Sequence, residues 1–173
     1  MNFRWFTAIA FLASACAFAG DQPAWRAVVG YDPLQGRTAC LLESAPVTVH
    51  DGQLMTPVRI LYNGTAFLAT TQSNIDLSYP NVGLQVDSAA PVAIERVYKD
   101  TNVIFEHDAR LIKAHFIRGS MARLSLGFWP TWPKGEAVDA EFSLIGFSRA
   151  HEEFLACEQS GLLEVDTEEE APR

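Results

Sequence analysis

Cysteine is scarce in this chain, with three in 173 residues, and no stretch reaches eighteen consecutive apolar residues. The second absence removes any candidate for a membrane-crossing helix, which needs about twenty apolar residues to span a hydrocarbon core. Basic residues are also few: 13 Lys and Arg stand against 21 Asp and Glu, a formal net charge of −8. No Lys/Arg stripe gathers what basic charge there is, and phosphate binding requires one, so nucleic acid is excluded as a partner. Glycine-rich phosphate loops, internal repeats and Pro- or Ser-rich linkers are all missing. The chain therefore reads as one domain of ordinary size.

The four histidines do not assemble into a metal site. His107 and His115 are eight residues apart, which on a helix leaves them roughly 80° apart around the axis. His151-Glu152-Glu153 lacks the second histidine of a zinc-protease helix. Gly146-Phe147-Ser148-Arg149-Ala150 echoes a nucleophile elbow without its last glycine, and Ser148 is more simply a helix N-cap. No metal and no cofactor is expected.

The first residues carry the three parts of a secretory signal. Arg4 is the basic n-region, residues 5–15 are apolar and uncharged, and Ala17-Phe18-Ala19 supplies the small-x-small cleavage pattern. Residues 1–19 are thus expected to be a signal peptide, with the working protein periplasmic or secreted. An alternative is a lipid anchor: Leu12-Ala13-Ser14-Ala15-Cys16 loosely fits a lipobox in which Cys16 would be acylated. Cleavage before Gly20 leaves Cys40 and Cys157, an even pair in an oxidising compartment, and these are expected to form a disulfide rather than two buried thiols. At the other end, five acids crowd residues 164–173, the composition of a disordered tail. Residues 20–163 form the expected domain.

That domain reads mainly as strands. Segments 25–30, 38–44, 56–62, 65–71, 82–87, 91–98, 102–105, 121–128 and 138–144 are apolar or alternate with period two. Asn63-Gly64 is a strong hairpin signal between two of them. Two stretches have helical spacing instead, about 108–118 and 148–158. The first has Asp108 at its start and Gly119 at its end; the second places Phe147, Ala150, Phe154 and Cys157 on one face. The expected fold is a mainly β, single-domain antiparallel sandwich with two short helices.

One cluster departs from this economy: Phe128-Trp129-Pro130-Thr131-Trp132-Pro133, between two strands able to pair as a hairpin. A loop exposed to water is usually polar. Phe128, Trp129 and Trp132 are therefore the candidate binding residues. Either the indoles face solvent as a stiff aromatic platform for a partner, or they fold back as a lid over one end of the sheet.

Several short stretches, taken in order, resemble the invasion-associated locus B family of small exported bacterial proteins. They are Trp25-Arg26-Ala27-Val28 followed by Cys40, then Asn81-Val82-Gly83-Leu84-Gln85-Val86-Asp87, the 109–119 helix ahead of a strand, and Phe142-Ser143-Leu144-Ile145-Gly146-Phe147-Ser148-Arg149-Ala150. The family's close cysteine pair ahead of the first helix has no counterpart here. The resemblance implies a β-sandwich with a role in host or envelope interaction and no catalysis. The leading functional expectation is thus a non-enzymatic binding protein whose partner is an envelope or host protein. A small-ligand or glycan module using the aromatic loop comes second, and an unrecognised hydrolase third.

Overall fold

A computed structural model describes residues 23–129 and 135–160. The expected signal peptide, the acidic tail and Trp132 lie outside the described residues.

The β-rich reading holds. In chain order the elements are β1 (Trp25–Asp32), β2 (Arg37–Ser44), β3 (Val47–His50), β4 (Met55–Tyr62), β5 (Phe67–Thr70), β6 (Gly83–Val86), β7 (Arg96–Tyr98), β8 (Asn102–Phe105), α1 (Ala109–Arg118), β9 (Met121–Leu126), β10 (Val138–Ser143) and α2 (Phe147–Gln159). Among the described residues, all strand pairings are antiparallel. The larger sheet runs β1-β2-β4-β5-β8-β7 with β3 added to β4, and the smaller runs β10-β9-β6.

The two sheets share one core. Leu42, Ile60, Phe67 and Phe105 of the larger meet Leu84, Leu124 and Phe142 of the smaller. Both helices contribute to it through Ile112, Phe116, Phe147, Ala150 and Phe154. Trp25 joins the parts: its ring lies edge-on to Phe116 and Phe147, at centroid distances of 5.6 and 5.0 Å. Its indole N–H donates to the Ser143 carbonyl at 2.7 Å. Each such buried aromatic side chain contributes about 1.5–3 kcal/mol by leaving water.

Cys40 on β2 and Cys157 on α2 form a disulfide with Cα atoms 6.0 Å apart. The bond clamps the last turns of α2 to the larger sheet. The two cysteines stand 117 residues apart, and closing a loop of that length is worth about 4–5 kcal/mol in the chain-entropy picture.

Local chemistry differs from expectation at three points. Ser148 is not the N-cap of α2. Gly146 holds that place with φ +89°, a left-handed backbone that glycine adopts without strain, and the Ser148 hydroxyl instead donates to the Ile117 carbonyl. Gly119 follows α1 with an extended backbone, so left-handed capping is not why glycine stands there. A Cβ at this position would lie 2.5 Å from Val86 Cγ1 and 2.8 Å from the His115 carbonyl. The Asn63-Gly64 hairpin forms with a four-residue connection in which Asn63 is buried. Its amide donates to Asp32 Oδ2 while its carbonyl accepts from the Thr65 and Ala66 amides.

Candidate binding surface

The aromatic loop leaves β9 after Leu126 and returns at Val138, the two strands pairing Leu126 with Val138. Its first residues are held closely. Gly127 accepts from the Asp76 amide at 2.9 Å, and the Trp129 amide donates to the Asn74 carbonyl at 3.0 Å. Between them Phe128 forms an isolated β-bridge with Ile75, and the Tyr79 hydroxyl donates to the Phe128 carbonyl. Gly127 admits no side chain, because a Cβ there would sit 2.3 Å from Tyr79 Cδ2 and 2.5 Å from the Asp76 carbonyl.

Extended backbone points successive side chains in opposite directions, and here the alternation divides the candidate residues. Phe128 is 1% exposed and belongs to the core, whereas Trp129 is 61% exposed. Phe128 offers no contact surface; Trp129 does. The Trp129 indole is therefore presented from a backbone that is already fixed, so little ordering entropy remains to be lost on binding.

Segment 71–76, to which the loop is tied, also holds the β3–β4 hairpin. Ser73 Oγ donates to Asp51 Oδ2, and the Thr56 and Thr71 hydroxyls lie 2.9 Å apart. Asp51 accepts from the Leu54 and Gln53 amides as well. The Leu54 amide, then the Ser73 hydroxyl and the Gln53 amide, hold its carboxyl below the usual range, because each bond favours the charged form. The hairpin tip carries Leu54 and Met55, 72% and 61% exposed. Leu54, Met55 and Trp129 thus share one end of the sandwich, on a backing of hydrogen-bonded loops. In the sequence, the hairpin pair is marked only by the alternation of Val47 and Val49 before Asp51-Gly52.

Beside the same loop, a groove of about 540 Å³ runs over the outer face of the smaller sheet. Gln85, Arg123, Ser125 and Asp139 floor it, and Asn81 and Glu136 stand at its sides. Its polar groups largely satisfy one another. Ser125 Oγ donates to Asp139 at 2.6 Å, Gln85 donates to the Ala89 carbonyl, and Arg123 Nε lies 3.4 Å from Glu141. Such a floor can hold a polar ligand. Among the described residues, no group of three or more His, Cys, Asp or Glu side chains is placed to hold a metal ion.

Of the four histidines, His50 lies at this end, opposite Met55 in the hairpin, its Nδ1 accepting from the Gly52 amide. His107 Nδ1 is 2.7 Å from Glu95 Oε2, and that hydrogen bond, then the Glu95 charge, raises the His107 pKa above 6.5. His151 is sandwiched between Phe147 and Phe154 on α2. Its Nε2 is buried without a hydrogen-bond partner, and burial, with nearby Lys113 adding to it, lowers its pKa.

No family model and no curated protein sequence matches the chain. Among solved structures it is similar to invasion associated protein B from Bartonella henselae, with 19% sequence identity and a TM-score of 0.50. The match covers 79% of this chain and 94% of that one. The likeness is one of fold. Among the described residues, no helix is long and apolar enough to cross a membrane.

Proposed function

We propose that this chain is an exported protein of the bacterial envelope that binds a protein partner through the end carrying Trp129, and that it performs no chemistry of its own. The exposed indole on a pinned backbone carries this reading. Apolar area of that size costs solubility unless it is used, and a Trp anchor at an interface centre is worth about 2 kcal/mol or more. Leu54 and Met55 extend the surface, and Trp132, further along the same loop in sequence, is a second anchor.

Export rests on the signal pattern of residues 1–19, with the domain over 20–163 and an acidic tail over 164–173. A second reading keeps one supporting observation: the groove beside the loop has the size and polar floor to take a small polar ligand such as a glycan. The test is paired, measuring stability and partner retention after in-cell crosslinking for Trp129→Ala and Trp132→Ala. Unchanged stability with lost retention supports the binding surface. Several kcal/mol of lost stability in both variants makes the rings structural and ends the proposal.

A further inference from the structure

Strand β1 (Trp25–Asp32) is one edge of the larger sheet, and its hydrogen bonding can be read from its register with β2. The Ala45 amide donates to the Ala24 carbonyl opposite it. Bonded pairs alternate along an antiparallel ladder, so Arg26, Val28 and Gly30 bond to β2. The amides and carbonyls of Ala27, Val29 and Tyr31 point the other way, where no strand pairs with them among the described residues.

Natural proteins guard such an edge with lysine, proline, a bulge or a very short strand. The opposite edge, β7, is three residues long. In the smaller sheet, Leu84 of β6 exchanges bonds with Val92, and the Trp25 indole covers a carbonyl of β10. By contrast β1 runs eight residues with neither Lys nor Pro. Its outer half carries Val29 and Tyr31, 58% and 60% exposed. Helix α2 packs against β1 as well as β2, yet Val29 and Tyr31 remain mostly in solvent beside it.

We propose that β1 is a self-association edge, on which a second copy of this chain pairs antiparallel about Val29 to make one continuous sheet. The strand is complementary to itself in that register. Val29 meets Val29, and Ala27 of each copy exchanges both backbone bonds with Tyr31 of the other. Bulk then matches space: Tyr31 lies across from Ala27, and Val28 across from Gly30. Arg26 and Asp32 are the two charged residues of the strand, and each comes opposite the other, so no like charges meet. Like charges placed directly across a strand pair would oppose the register.

The experiment combines sedimentation equilibrium with residue-resolved hydrogen exchange on the processed, disulfide-intact protein. At about 100 µM, a concentration that populates weak dimers, the mass should be that of two copies. The Ala27, Val29 and Tyr31 amides should gain protection as concentration rises, while the Val28 amide stays protected throughout by its bond to β2. Val29→Lys should raise the dissociation constant about tenfold or more without moving the melting temperature measured at a dilution where both proteins are monomeric, and Val29→Thr should retain the dimer. A wild-type protein that is monomeric at that concentration overturns the proposal. So does a dimer that survives Val29→Lys while the three edge amides exchange freely.

Discussion

Replacing Phe128 and Trp129 separately by alanine tests the alternation at the root of the aromatic loop. The two residues are neighbours in sequence, yet one is buried and the other mostly in solvent. Removing a fully buried Phe costs about 3–5 kcal/mol, from lost transfer energy and the cavity left behind. Trimming a side chain as exposed as Trp129 should cost less than about 1 kcal/mol. Urea unfolding separates these outcomes. With a slope of about 2 kcal/mol per molar, Phe128→Ala should move the midpoint down by roughly 2 M, and Trp129→Ala by less than about 0.5 M. The slopes should stay equal, since neither variant changes what unfolding exposes elsewhere. Equal midpoint losses would refute the alternation and return Trp129 to the core.

Three further outcomes follow from the same geometry. Replacing Cys40 and Cys157 together by serine should cost up to about 4–5 kcal/mol and expose α2 amides to exchange first, while thiol labelling of the denatured processed protein should find no free cysteine. Gly127→Ala should cost about 1–3 kcal/mol, because the Asp76 carbonyl and Tyr79 ring occupy the space a methyl needs; unchanged stability would mean the loop root is not pinned. The third concerns pH. The folded pKa of His151 lies below the ordinary 6.5, so the unfolded chain binds more protons, and stability present above 6.5 is lost as pH falls through the folded value. His107 works oppositely, its contribution being full below 6.5 and lost as pH rises through its raised pKa. In a His107→Gln background, stability should therefore fall from pH 7 to pH 5, and adding His151→Leu should flatten that slope; an unchanged slope would contradict the burial of Nε2.

Much of the fold was legible because it is written in local periodicity. The 102–105 strand, the β9–β10 hairpin and both helices have spacings that water and core enforce residue by residue. The disulfide was legible from the even pair of cysteines, Cys40 and Cys157, left after the expected signal peptide. Strand β3 was not, since four residues after Pro46 carry too short an alternation to stand out. Nor was the reason for Gly119, which lies in the distance to Val86 across the fold. The candidate surface divides in the same way. The richness of its loop in aromatic residues is a sequence property, but which ring faces water depends on the Ile75–Phe128 bridge. Backbone bonds between loops far apart in the chain leave no pattern in the side chains.

The central claim is that a partner sits on the Trp129 end, and a photo-crosslinking amino acid placed at position 129 tests it in intact cells. Leu111, an exposed apolar residue on α1, is the control position. A discrete adduct of defined mass is expected from position 129 and none from position 111. Adducts that are equal at both positions, or absent from 129, would contradict it.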